Sequence, residues 1–124
     1  MWVRLNANPA NRRVGDCVVR AISVATGRPW VEVYDDLHAI GRVLYDMPSS
    51  NALWGEYLYR MGFEPFILPG ACPECVTVRE FARRFPRGRY IIGTGKHAVA
   101  VINGNYYDTW DSGGEIPEYF FKVR

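Results

Sequence analysis

At 124 residues, the chain is long enough to bury a hydrophobic core but too short for two, so we expect one domain over residues 1–124. Apolar residues make up 48% of the chain and aromatic residues 15%, which excludes an intrinsically disordered protein. The net charge of +2 is too small to indicate a nucleic-acid or membrane partner.

The N-terminal stretch "MWVRLNANPANRRVGDC" lacks the apolar segment of a signal peptide. No run of apolar residues reaches the roughly 18 that a membrane span needs. We therefore expect a cytoplasmic protein. Three cysteines are an odd number in a chain without an export signal, which argues against a framework of disulfides.

Helices are predicted in the N-terminal half. Asp16 can cap a helix over about residues 17–25, and Gly27 is a natural stop for it. Pro29 suits the first turn of a second helix, which should end at Gly41. The spacing of apolar residues predicts a third helix that begins after Ser49 or Ser50 and ends at Gly62.

Strands are predicted in the C-terminal half. "FEPFIL", "RYIIGT", "HAVAVI", "YYDTW" and "YFFKV" are rich in β-branched and aromatic residues, as strands are. Between the first two, "TVREFARRF" predicts a short helix in which Thr77 and Glu80 form a capping box. This order predicts an α+β fold with N-terminal helices packed on a C-terminal antiparallel sheet.

The Asn-Gly pair at 103 and 104 is typical of a two-residue hairpin turn. That turn sets His97 opposite Trp110 and makes Asp108 the diagonal neighbour of His97 on the same face of the sheet. Asp111 points to the other face. A turn of odd length would instead bring Asp111 opposite His97, so Asp111 is the alternative acid.

A histidine beside a carboxylate is an oriented base, and Cys17 is the best candidate for the group it activates. Cys17 lies in the first turn of a predicted helix, where free N–H groups and the helix dipole stabilise a thiolate. Acyl transfer also needs an oxyanion donor. Because the chain contains no glutamine, a side-chain amide near Cys17 can come only from Asn6, Asn8 or Asn11.

These residues resemble the papain-like cysteine peptidases. In "NRRVGDC", Asn11 lies six residues before Cys17, where the family usually has glutamine. "HAVAVINGNYYDTW" is similar to the family segment that runs from the catalytic His to Asn-Ser-Trp, with residues 108–110 matching the last three. The short chain and the aspartate are closer to the bacteriocin-processing double-glycine peptidases, which act at small residues.

The resemblance implies a minimal papain-like fold and a thiol-dependent hydrolase, a cysteine peptidase or amidase. Cys17 would be the nucleophile, His97 its base, and Asp108 the residue that orients His97. Asn11 would bind the oxyanion, and Trp110 would shield the base from water. No cofactor or metal is needed, and the expected partner is a peptide or protein substrate.

Two other functions stay open. One is a binding module of viral or bacterial origin that keeps this fold without turnover. The other is a dithiol oxidoreductase that uses "CPEC", Cys72 to Cys75, although the next helix is predicted to begin near Thr77, after both thiols. The arginine-rich run "RRFPRGR" is typical of a solvated helix end, and we do not expect nucleic acid to bind there. His38 has no partner in the pattern and is expected at the surface.

Overall fold

The computed structural model describes all residues, Met1–Arg124, as an α+β fold with four helices and one mixed sheet of six strands. The helices are α1 (Cys17–Thr26), α2 (Trp30–Leu44), α3 (Asn51–Arg60) and α4 (Val78–Arg84). The strands are β1 (Trp2–Arg4), β2 (Glu64–Ile67), β3 (Arg89–Gly93), β4 (Ala98–Ile102), β5 (Asn105–Asp108) and β6 (Tyr119–Val123).

The sheet has the strand order β1-β5-β4-β3-β6-β2. Every neighbouring pair is antiparallel except β1 and β5, which run parallel. The predicted purely antiparallel sheet is therefore corrected to a mixed one. Strand β1 has only three residues, too few for an alternating pattern to show, and long-range pairing with β5 holds it in place.

The two faces of the sheet are covered by different helices. Ile91 and Ala100 belong to one buried cluster with apolar residues of α1, α2 and α3. The opposite face, with Ile92 and Val99, packs on α4. Side chains alternate along a strand, so continuous apolar strands such as "AVAVI" can serve both layers.

The helix boundaries follow the prediction except at α2. Gly27 ends α1 in the left-handed conformation, with φ of 74°. Gly41 does not end α2, which continues to Leu44. A Cβ at Gly41 would lie 2.7 Å from the carbonyl oxygen of Asp46, so this glycine permits a close backbone approach and is not a helix stop.

The capping box at the start of α4 is confirmed, since the Thr77 and Glu80 side chains bond each other's backbone N–H groups. Cys72 and Cys75 form a disulfide, which the odd cysteine count argued against. Their Cα atoms are 4.5 Å apart, within the ordinary range for a bridge, and the bridge closes only a short loop. Helix α4 begins after both cysteines, so neither opens a helix.

None of the four helices is both long and apolar enough to cross a membrane.

Candidate active site

The β4–β5 hairpin has the predicted register. Both turn residues, 103 and 104, have positive φ, and Ile102 pairs with Asn105. His97, just before β4, and Asp108, at the end of β5, meet at one end of this hairpin. His97 Nε2 donates to Asp108 Oδ2 over 2.5 Å. A carboxylate without a proton can only accept, so the proton of this bond lies on the imidazole nitrogen.

Asp108 is buried, with 2% of its surface exposed, and both of its oxygens are satisfied. Oδ2 also accepts from Ser112 Oγ at 2.7 Å, while Oδ1 accepts from the Thr109 N–H at 2.8 Å and from Arg20 Nη1 at 3.1 Å. Burial alone would raise the pKa of Asp108, but the hydrogen bonds from His97 and Ser112 outweigh it and lower the pKa. The acid therefore stays ionised.

Asp111, the alternative acid, lies elsewhere. Its Oδ1 accepts from the Tyr106 hydroxyl at 2.5 Å and lies 3.5 Å from Arg79 Nη2. It is exposed, and it makes no hydrogen bond to His97. The even-length turn thus brings Asp108 to the histidine and leaves Asp111 to hold the chain after β5.

Cys17 opens α1 and is partly exposed. Burial alone would raise the pKa of its thiol, but hydrogen bonds with His97 and with the backbone of Ala98, together with the positive charges of His97 and Arg20, lower it. The first N–H groups of α1 have no partners inside the helix, which further favours negative charge at its start. The sulfur is therefore held in a setting that stabilises a thiolate.

His97 is the partner of that thiolate. Burial alone would lower the pKa of His97, but the hydrogen bonds to Asp108 and Cys17 outweigh it and raise the pKa to about 9. Since Asp108 holds Nε2, the other ring nitrogen, Nδ1, is left for Cys17. A lowered thiol pKa beside a raised imidazole pKa favours the thiolate–imidazolium pair over the neutral pair.

Trp110 lies beside the histidine, as the hairpin register predicts. The two ring centroids are 5.0 Å apart, with an angle of 41° between the ring planes. Trp110 itself is 44% exposed. The indole therefore covers one side of the imidazole and leaves its own outer face to solvent.

Arg20 was missed by sequence reasoning, although it connects both sides of the site. Its side chain is buried, and it donates from Nε to Asp16 Oδ1 at 2.8 Å and from Nη1 to Asp108. Asp16 makes no cap to α1; its Oδ2 accepts from Asn8 and from Trp30 Nε1 instead. A signal was available, because Arg20 is the only charged residue in α1 and follows Asp16 by one helical turn.

Asn11, the predicted oxyanion donor, is not brought into the Cys17 cleft. It is exposed with φ of 54°, and its Oδ1 accepts from Asn6 Nδ2 at 3.4 Å. It lines a separate hollow with Arg4 and Thr109. The amides of Asn6 and Asn8 are also engaged, by the Arg12 carbonyl and by Asp16.

The amide that does line the Cys17 cleft is Asn51, at the start of α3. Its Nδ2 donates to the Gly95 carbonyl at 3.2 Å and its Oδ1 accepts from Trp54 Nε1 at 3.1 Å. A side-chain amide carries two N–H groups, so one donor remains for a ligand. Sequence reasoning missed Asn51 because nothing local to Cys17 or His97 points to α3.

Cys72, Cys75 and His38 do not line the Cys17 cleft. No group of three or more His, Cys, Asp or Glu side chains in the structure is arranged to hold a metal ion. Cys72 is exposed in its disulfide loop, and helix α4 begins only at Val78. His38 is exposed, as expected, and its Nδ1 lies 2.8 Å from the Tyr34 carbonyl oxygen.

No protein-family model matches the chain, and no curated protein and no solved structure matches it either.

Proposed function

We propose that the protein is a thiol-dependent acyl-transfer hydrolase, a cysteine peptidase or amidase. One observation carries the proposal: Cys17 at a helix N-terminus lines the same cleft as His97, whose Nε2 is held by the buried Asp108 carboxylate. Nucleophile, base and orienting acid are the three parts that covalent acyl transfer needs.

In the first step, the Cys17 thiolate attacks the substrate carbonyl carbon and forms a C–S bond. The carbonyl electrons move onto oxygen, where the Cys17 N–H and a side-chain amide in the cleft stabilise the charge. Asn51 is better placed than Asn11 to be that amide. The imidazolium of His97 then gives its proton to the leaving amine, the C–N bond breaks, and a thioester remains.

In the second step, neutral His97 takes a proton from water as the water oxygen attacks the thioester. The C–S bond breaks, the carboxylic acid leaves, and the thiolate–imidazolium pair is restored. Asp108 stays ionised throughout and stabilises the charged form of His97. The cycle consumes one water and needs no cofactor.

We further propose that the architecture is a minimal papain-like one. Support comes from the helix that begins at the nucleophile and packs on the strand that follows the histidine. The histidine and acid strands are neighbours in an antiparallel hairpin, and Trp110 lies over the histidine. These features agree with the family pattern that the sequence resembles.

Acyl-enzyme trapping tests this function. The protein is mixed with peptide p-nitrophenyl esters and quenched in acid, and the intact mass shows whether an acyl group is on Cys17. We expect one acyl group per chain and continued release of p-nitrophenol beyond one equivalent, with both lost in Cys17→Ala. Acylation that persists in Cys17→Ala, or acylation without turnover, would contradict a hydrolase; the second result favours the binding module.

A further inference from the structure

A groove of about 300 Å³ lies between the N-terminal end of α1 and the side of α2. Its walls are mostly apolar and aromatic, and they include Val14, Val18, Trp30, Tyr34 and Pro48. Binding pockets for small ligands begin at about this volume, so the groove suits one large side chain and not an extended ligand.

The groove adjoins the Cys17 cleft. Val18 and Ser49 line both, and Val18 directly follows the nucleophile in α1. A substrate whose carbonyl lies at Cys17 therefore has a neighbouring side chain within reach of the groove.

The aromatic wall is rigid, and it is open to solvent. The Trp30 and Tyr34 rings stack with centroids 5.0 Å apart, and Trp30 Nε1 is fixed by Asp16 at 3.0 Å. Tyr34 is 40% exposed and Val14 is 43% exposed. Exposed apolar side chains clustered around a concavity are typical of a ligand groove.

The groove offers no free carboxylate to a ligand. The one carboxylate in its lining, Asp16, is buried and bonded to Arg20, Asn8 and Trp30. A cationic side chain that entered would lose water without gaining a carboxylate partner, whereas an apolar one would be stabilised by burial.

We infer that this groove is the specificity subsite of the enzyme and takes one aromatic or leucine-sized side chain of the substrate beside the scissile carbonyl. The inference rests on the proposed function and refines it. It differs from the preference for small residues that the double-glycine peptidases suggest, so the two substrate classes can be told apart.

Chloromethyl ketone probes with phenylalanine, leucine or glycine next to the reactive carbon measure this preference. The rate at which each probe labels Cys17 is divided by the iodoacetamide rate of the same variant. We expect the phenylalanine probe to react at least about tenfold faster than the glycine probe, the usual scale for burying a large apolar group.

Two variants test the groove itself. Tyr34→Ala removes a wall and Val14→Trp fills the space, so both should reduce the phenylalanine-to-glycine ratio by at least about threefold. Tyr59→Ala is the matched control, because Tyr59 is 66% exposed on α3 and does not line this groove. Its ratio should equal that of the wild type.

Equal rates for the probes, a faster glycine probe, or equal ratios in Tyr34→Ala and Tyr59→Ala would overturn the groove assignment. In those cases, fast iodoacetamide labelling of Cys17 near neutral pH would leave the proposed function standing. A Cys17 that iodoacetamide labels only at high pH would overturn the proposed function, and the groove assignment with it.

Discussion

Arg20 Nη1 donates to Asp108 Oδ1 at 3.1 Å, on the opposite oxygen from the one that His97 occupies. This contact ties the helix that begins at the nucleophile to the strand that ends at the acid. Arg20 also donates to Asp16, in the loop before α1. The positions of Cys17 and His97 therefore depend on one buried guanidinium.

Arg20→Met should destabilise the fold by about 3–5 kcal/mol, because it leaves the two buried carboxylates of Asp16 and Asp108 without their shared partner. Urea unfolding measures the change. The control is Arg60→Met, which breaks an exposed pair with Glu56 and should change stability by less than about 1 kcal/mol. If the two variants are equally stable, the buried network is not what holds the site together.

Arg20→Lys separates positioning from stability. Lysine keeps the charge but lacks the planar fork that bonds Asp16 and Asp108 together. We expect a folded protein whose kcat/KM falls several-fold and whose upper pH limit shifts down, because Asp108 holds His97 less firmly. Wild-type kcat/KM and pH profile in Arg20→Lys would show that the two bonds are not needed for positioning.

Asp108→Ala should lower kcat by about 10²–10⁴, since His97 then loses its orientation and its charge stabilisation. Asp111→Ala is the matched control. It removes a carboxylate that bonds Tyr106 and Gly113 and not the histidine, and its kcat should stay within a few-fold of wild type. If kcat falls further in Asp111→Ala than in Asp108→Ala, the residue that orients His97 is Asp111.

Asn51→Ala should lower kcat by about 10²–10³, the usual effect of losing one oxyanion donor. Asn11→Gly tests the other candidate, since glycine removes the amide and still accepts the positive φ of that position. Its kcat should stay close to wild type. If kcat falls in Asn11→Gly and not in Asn51→Ala, Asn11 is the oxyanion donor.

The pH dependence of kcat/KM should be bell-shaped. The lowered pKa of Cys17 allows the thiolate to form at a lower pH than an ordinary thiol does. The acidic limb of the profile should therefore lie below the usual thiol range. The imidazolium is lost as pH passes the His97 pKa of about 9, so activity falls there. In Asp108→Ala the basic limb should move down toward about 6.5, the value of a free imidazole. A basic limb that stays in place would contradict the contribution of Asp108.

The parts of the site that local rules govern could be predicted from the sequence. Gly27 marks the end of α1, and the Asn-Gly pair sets the register that joins His97 to Asp108. Both depend on backbone conformations that few residues adopt, so a short stretch of sequence carries the information.

The parts that depend on tertiary contacts could not be predicted. Asn51 reaches the cleft from α3, and Ser112 bonds Asp108 only because the chain turns back after β5. Asn11 matches the family spacing, but the loop before α1 takes its side chain to another hollow. Strand β1 is fixed by its neighbour β5 and not by a pattern of its own.

Pulse labelling of Cys17 with iodoacetamide across pH tests the central claim most directly, because only the thiolate reacts. Cys72 and Cys75 are joined in a disulfide, so without reductant the label reports Cys17 alone. We expect fast labelling that persists at about pH 6, and a shift to higher pH in His97→Ala. Labelling of the wild type only at about pH 8.5 and above, unchanged in His97→Ala, would contradict the thiolate–imidazolium pair.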